Sequence, residues 1–353
     1  MQGTPEEQRA VVQQFKDTSH VFGFFRIRCG NVLGPEEVAD THRVFSEFFG
    51  MEEEKKAAVS KGAIKKANDS FTSTGYRPGT GGINNKGRES YSCSVPYYKP
   101  GDPLYSDTYY TSDEGKKYFA VAPDPQVVWP AKELIPNFQD QVTQYYKKVE
   151  MIGKLLFRIF ALVLDVEEER FLPMADKHIS SMNAFHFTGK TCNDILEAHA
   201  DITCFTIISY DHSPGAEGSQ CLEILTPDKL WVPVKSMPGT FLLNIGQIME
   251  RWSNGRLKAT LHRVIQPKFL PPGSRRQCIV FFQSTNYNTV LDVLPEFAPA
   301  DPTTSKYSPE RMDQYSLTRL SLFYKEGVSD EEAWYNYNKD VMDKQDYYTL
   351  KYI

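Results

Sequence analysis

The sequence predicts an α+β protein in which a helical N-terminal part and one long helix accompany an antiparallel β-sandwich or jelly roll, with further helices at the C-terminal end. Three observations carry that expectation. Between Asn137 and Leu164, the residues Phe138, Val142, Tyr145, Val149, Ile152, Leu156, Ile159 and Val163 alternate in steps of four and three, which lays one apolar stripe along about seven helical turns. From Ile179 to Val293 the sequence changes to short β-like runs separated by turn clusters, the pattern of a sandwich or jelly roll. From Ser308 to Ile353 it returns to helical, polar composition.

Taken in order, the chain opens on a helix running into a strand. Val11, Val12 and Phe15 recur at helical spacing, and Val21-Phe22-Gly23-Phe24-Phe25-Arg26-Ile27 follows as an apolar, aromatic run. A second helix spans Gly34 to Phe49, where Val38, His42, Phe45 and Phe49 keep a four-three-four rhythm and Pro35 takes the first helical position, at which its missing N–H does no harm. Residues 61–112 are rich in Gly, Asn, Lys, Ser, Tyr and Pro, with Gly75-Tyr76-Arg77-Pro78-Gly79 and Gly81-Gly82 as turn signals, and predict a long functional loop. The long helix between Asn137 and Leu164 is expected to be the backbone against which a sheet packs. Candidate strands follow at Met182–Phe187, Thr203–Tyr210, Gln220–Leu225, Trp231–Pro233, Thr240–Ile245, Thr260–Ile265 and Gln277–Gln283. The C-terminal helices are expected to pack outside the barrel, and there is no internal repeat. The implied division is an N-terminal helical and loop region at 1–135, a jelly-roll catalytic core with its helix at 136–300, and a C-terminal helical extension at 301–353.

A chain of 353 residues accommodates one β core with helical additions. The formal net charge of -5 and pI near 5.9 leave no footprint for nucleic acid or an anionic membrane. No stretch approaches the roughly 20 apolar residues of a membrane helix, and Met1 to Ala10 is polar rather than signal-like. The six cysteines, Cys29, Cys93, Cys192, Cys204, Cys221 and Cys278, lack metal-knuckle spacing and fit free thiols in a reducing compartment. The expectation is a cytoplasmic monomer acting on a small molecule.

In His199-Ala200-Asp201 one residue separates two ligand-type side chains, so in an extended segment both project from one face. A third ligand, His262, lies in the β-like run Thr260-Leu261-His262-Arg263-Val264-Ile265 about sixty residues later, as a returning strand allows. Two imidazoles and one carboxylate on one side of an ion leave the opposite positions open, the facial arrangement of iron(II) oxygenases. An isolated His-x-Asp is common without metal, in which case His199 is a solvated loop residue. The surrounding sequence decides between these.

The segment from Asn244-Ile245-Gly246-Gln247 through Arg251-Trp252-Ser253-Asn254-Gly255 to Ala259-Thr260-Leu261-His262-Arg263-Val264 resembles, nearly residue for residue, the signature of plant-type and isopenicillin N synthase-like oxygenases. Gly23-Phe24-Phe25, Phe48-Phe49 with Glu54-Lys55, and Arg276-Gln277-Cys278-Ile279-Val280-Phe281-Phe282 look like further parts of that family, so the resemblance covers Val11 to Pro295. It implies a double-stranded β-helix, the cupin-like jelly roll, and a 2-oxoglutarate- and Fe(II)-dependent dioxygenase using O2, with iron on His199, Asp201 and His262. Read physically, Asn244-Ile245-Gly246 ends a buried strand, Ser253-Asn254-Gly255 reverses the chain, and Trp252 belongs to the core.

The distal carboxylate of 2-oxoglutarate requires a planar, always-charged donor, and the resemblance assigns it to Arg276. Arg275 is the alternative; alternation from Cys278 favours Arg276. The sequence departs from the family twice. Cys278, a much weaker donor, stands where a serine is expected, and in Ser181-Met182-Asn183-Ala184-Phe185-His186 the residue Phe185 stands where a tyrosine hydroxyl is expected. Asn183 either contacts the oxo acid or ends a strand, and His186 reads as a core or surface histidine. The family's first strand ahead of the opening helix has no counterpart here.

Substrate contacts are expected from Tyr76, Arg77, Arg88, Glu89 and Tyr91, the two arginines suiting a carboxylate-bearing small molecule or serving as solvated loop charges. Phe281 and Gln283 face one way and line either pocket or core. The reaction class implied is oxidation of a C–H bond with release of succinate and CO2, as hydroxylation, desaturation or ring closure. Rival readings are an isopenicillin N synthase-like oxidase without 2-oxoglutarate, a specialised-metabolism oxidative cyclase resembling kainoid synthases, and a catalytically silent binding module.

Overall fold

Local caps set the first helices. Glu7 Oε2 accepts the Thr4 N–H at 2.7 Å while Thr4 Oγ1 accepts the Glu7 N–H, a reciprocal cap that starts α1 (Pro5–Ser19). Pro35 opens α2 (Pro35–Phe49) after Gly34, as its spacing predicts. The structure, a computed structural model, describes residues 3–60, 74–78, 88–94, 127–178, 180–188, 196–216, 221–265, 275–321 and 329–342. Most of the expected loop at 61–112, including Gly79, Gly81 and Gly82, lies outside them, as do Cys192 and the last eleven residues.

The remaining elements are β1 (Phe24–Ile27), α3 (Glu53–Ala57), β2 (Gly75–Arg77), β3 (Arg88–Cys93), α4 (Phe138–Val163), β4 (Ser181–Thr188), β5 (Leu196–His199), β6 (Phe205–Tyr210), β7 (Leu222–Leu225), β8 (Trp231–Pro233), β9 (Phe241–Ile245), α5 (Gln247–Trp252), β10 (His262–Val264), β11 (Arg275–Gln283), β12 (Val290–Leu291), β13 (Glu310–Arg311), α6 (Met312–Ser321) and α7 (Asp330–Asn338). Each expected strand after residue 179 is present, with its ends shifted by at most two residues. β2 and β3 correct the reading of their region as loop: both are strands, and they extend the main sheet.

Two antiparallel sheets form the jelly-roll core. The larger runs β1-β9-β6-β11-β4-β3-β2 and the smaller β5-β10-β7-β8. Between them lies a cluster drawn from both, with Phe24, Ile208, Leu242, Cys278 and Val280 meeting Cys221, Leu222, Ile224 and Val264. The opposite face of the large sheet carries α4. All eight residues of its predicted stripe are buried, Tyr146 packs on Phe281 and Phe157 on Phe205 at ring separations of 5.1 and 4.9 Å, and burying each such aromatic contributes about 2 to 3 kcal/mol. Gly153 makes the approach possible, because a Cβ there would stand 2.4 Å from Gln283 Oε1. Trp252 is fully buried and stacks on Phe171 at 5.4 Å, a core residue as expected. Among the described residues no helix is long and apolar enough to cross a membrane.

Strand alternation sorts the large sheet's side chains into two populations. Arg276, Cys278 and Val280 on β11 pair in register with Phe187, Phe185 and Asn183 on β4, and β3 sets Arg88, Ser90 and Ser92 against the same three. These point between the sheets. The intervening residues, among them Tyr91, Ala184, Ile279 and Phe281, point into the helix layer.

Candidate active site

His199 closes β5, His262 opens β10, and the two are direct cross-strand partners, so strand pairing alone brings both imidazoles together. Asp201 follows on a segment outside any strand, where the Gln247 N–H at the start of α5 donates to the Asp201 carbonyl at 2.7 Å. Gly246 permits that closeness: a Cβ on it would meet Thr203 O at 2.0 Å. Asp201 Oδ1 lies 3.6 Å from His199 Nε2 and 3.7 Å from His262 Nε2. One ligand atom from each residue falls within 4.8 Å of the others, and all three residues are buried.

The surroundings test whether a cation fits. Asp201 Oδ2 accepts from Thr206 Oγ1 at 2.5 Å and from Asn244 Nδ2 at 2.7 Å, which turns Oδ1 toward the two Nε2 atoms. His262 Nδ1 lies 3.1 Å from Thr260 O, so it carries the proton and leaves Nε2 a lone pair. Burial works to raise the Asp201 carboxyl, but His262 and His199, with the Thr206 and Asn244 hydrogen bonds, hold it below its ordinary value. A buried carboxylate facing two imidazole nitrogens is a donor set matched to one divalent metal.

Arg276 occupies the space between the sheets. It is 9 % exposed, lies over the Phe187 ring at 4.9 Å and faces the Tyr210 hydroxyl. Its Nε has no hydrogen-bond partner, and among the described residues no carboxylate pairs with it. A buried guanidinium in that state calls for an anionic ligand, and the distal carboxylate of 2-oxoglutarate fits. Arg275 is instead paired with Asp211 at 2.9 Å and Ser213 at 2.6 Å. Burial raises the Cys278 thiol above its ordinary value against the opposing pull of Arg276 and Arg88, so a neutral thiol lies beside the arginine. Phe185, at the position of the expected phenol, carries the Arg88 guanidinium at 4.6 Å from its ring.

The remaining expectations divide by face. Asn183, Arg77 and Arg88 share the face of Arg276. Tyr76, Tyr91 and Gln283 do not, which corrects their assignment to the substrate pocket. The Tyr76 hydroxyl donates to Glu53 and Glu89, Tyr91 is fully buried and donates to Val128 O at 2.7 Å, and Gln283 donates to Ser180 Oγ and Ser284 O. Glu89 pairs with Lys56 at 2.5 Å, Phe281 belongs to the helix-side core, and His186 stacks on Phe49 at 4.9 Å as a core histidine. Residues that the sequence reading passed over are Thr206, Tyr210 and the α7 group Trp334, Tyr337 and Asn338. Even parity with Ile208 on β6 marks Thr206 and Tyr210 as interior; nothing local marks the α7 group.

A jelly roll holding two imidazoles and a carboxylate on one ion site defines the facial-triad class of metal proteins. Residues 179–285 match the profile of the 2OG-Fe(II) oxygenase superfamily. The 2-oxoglutarate-dependent dioxygenase ecdK of Aspergillus rugulosus is 24% identical over 339 residues, covering 91% of this chain and 96% of that one. The 2-oxoglutarate-Fe(II) type oxidoreductase hxnY of Emericella nidulans is 26% identical over 345 residues, covering 95% and 88%. In fold the chain is similar to a full-length Neurospora crassa protein solved in complex with alpha-KG (TM-score 0.68, 18% identity, 91% and 92% covered) and to a rice dioxygenase for auxin oxidation (0.64, 19%, 90% and 92%). The chain carries the 2OG-Fe(II) oxygenase domain over residues 179–285. It is a 2-oxoglutarate- and Fe(II)-dependent dioxygenase, with Fe(II), 2-oxoglutarate and O2 as its requirements.

Proposed function

We propose that His199, Asp201 and His262 hold the Fe(II), that Arg276 receives the distal carboxylate of 2-oxoglutarate with Cys278, Asn183 and Phe185 around it, and that the substrate is a small carboxylate-bearing molecule oxidised at a C–H bond. The observation that carries the reading is the convergence of the three ligand atoms in the interior that also holds Arg276. When bound, iron, 2-oxoglutarate and O2 together supply a two-electron oxidation of the substrate with release of succinate and CO2.

The chain's own residues orient and exclude. Thr206 and Asn244 fix the Asp201 carboxylate, and the Thr260 carbonyl fixes the His262 tautomer. Tyr210 and Phe187 hold the Arg276 plane, so its fork is set before the carboxylate arrives. Ile208, Leu222, Ile224 and Val264 keep water from the space between the sheets, which strengthens each charged contact there. Arg88 and Arg77, on the same face, are the anchors for a substrate carboxylate, and a substrate held at one end presents a fixed C–H bond.

The test is a panel of carboxylated amines, terpenoid acids and phenolic acids assayed for substrate-stimulated oxygen uptake and succinate. A carboxylate substrate should give succinate in step with oxidised product, and Arg88→Gln should raise its KM by about tenfold or more, the loss of one charge-assisted contact. Oxidation of substrate without succinate would sink the co-substrate assignment. An unaltered KM in Arg88→Gln and Arg77→Gln would sink the substrate class.

A further inference from the structure

The far C-terminal helix fastens the backbone on both sides of Asp201. Residues 200–204 lie outside the strands, so no sheet ladder satisfies their buried polar groups, and each needs a partner from elsewhere. The Ala200 N–H donates to Asn338 Oδ1 at 2.9 Å, and the Tyr337 phenol oxygen lies against the Ile202 backbone N–H. Gln247 Nε2 bridges Ala200 O at 2.8 Å and Tyr337 O at 3.0 Å, joining α5 to the same assembly. Asn338 is fully buried, and its Nδ2 donates to Trp334 O and Ala198 O. The rings of Trp334 and Tyr337 stand 5.8 and 6.2 Å from the His199 ring. Just beyond the helix, Asp340 accepts from Arg251 at 3.1 Å and Arg319 at 2.8 Å, so α7 is itself anchored to α5 and α6.

We propose that Asn338 and Tyr337 are positioning residues for Asp201, which makes α7 part of the iron centre rather than an outer covering. The inference rests on the assignment of His199, Asp201 and His262 to the metal. Holding the amides on either side of Asp201 fixes where its carboxylate can swing, and loss of either anchor lets the ligand sample positions away from the two imidazoles. Groups that orient a metal ligand act on affinity even though they never touch the ion.

The test is an anaerobic titration of the full chain with Co(II), read from its d–d absorption. Asn338→Ala should weaken binding by about tenfold, and the nearly isosteric Tyr337→Phe, which keeps the packing, by about threefold. Ser329→Ala supplies the control. It removes the side chain that caps α7 by accepting the Glu332 N–H at 3.1 Å, and so loosens the helix without touching the ligand segment. Its affinity should stay within about twofold of the parent at a similar loss of Tm. Parent-like affinity in Tyr337→Phe and in folded Asn338→Ala, or an equal loss in Ser329→Ala, overturns the positioning role alone. A parent chain that takes up no Co(II) overturns the metal assignment beneath it.

Discussion

Single side chains decide whether the metal and the co-substrate are held. Asn244 and Thr206 both grip the Asp201 oxygen that faces away from the imidazoles. Asn244→Ala is therefore expected to lower Co(II) or Fe(II) affinity by about tenfold with the fold intact by circular dichroism; an unchanged affinity contradicts the orienting role. Arg276→Lys keeps the charge but loses the fork, and should raise the KM for 2-oxoglutarate by about tenfold, while Arg276→Ala should raise it by about a hundredfold or more. Equal KM values in both variants and the parent would remove Arg276 from the co-substrate. The proposed ligand triad and Arg276 are read from the sequence chiefly through the family resemblance around His262 and Arg276, with the His199-Ala200-Asp201 spacing and strand parity in support. Asn338 and Tyr337 are not: they lie more than a hundred residues from Asp201 in a polar stretch, and only the docking of α7 gives them a part.

At the scale of elements, parity explains both successes and errors. The offset of five and seven residues from Arg276 already puts Phe281 and Gln283 on the opposite face of β11, which decides for the core between their two readings and conflicts with Gln283 as a substrate contact. Tyr76 and Tyr91 cannot be sorted in that way, because β2 and β3 are written in Gly, Ser, Tyr, Arg, Glu and Cys and carry little apolar alternation. They become strands through pairing, β3 on β4 over six residues. The long helix is legible throughout, since its stripe is long enough to average out single exceptions. Its seat is equally specific. Gly153→Ala drives a methyl group against the Gln283 amide, which is held by Ser180 and Ser284, and should cost about 1 to 3 kcal/mol of unfolding free energy measured by chemical denaturation; full stability would show that α4 seats differently.

For the molecule as a whole, buried histidines in the helix layer set its response to acid. His42 sits between Ser209, 3.0 Å from its Nε2, and Gln277, with Asp211, His212 and Arg275 as its charged surroundings. Burial lowers its pKa to about 4, although Asp211 pulls the other way. Because the unfolded chain then binds the proton more readily, the contribution of His42 is intact above about pH 6.5 and is lost as pH falls from there toward 4. His42→Gln should show a shallower fall in Tm between pH 7 and 4 than the parent; identical slopes would contradict the buried, neutral state. The jelly roll positions all of these parts, and the proposed function requires one interior to hold both a ferrous triad and the arginine that receives 2-oxoglutarate. The most direct measurement is the visible charge-transfer band formed when 2-oxoglutarate is added anaerobically to the Fe(II)-loaded protein. A saturable band is expected in the parent, none in Asp201→Ala, and one needing far more 2-oxoglutarate in Arg276→Ala. No band in the parent, or the same band in Asp201→Ala, would contradict that function.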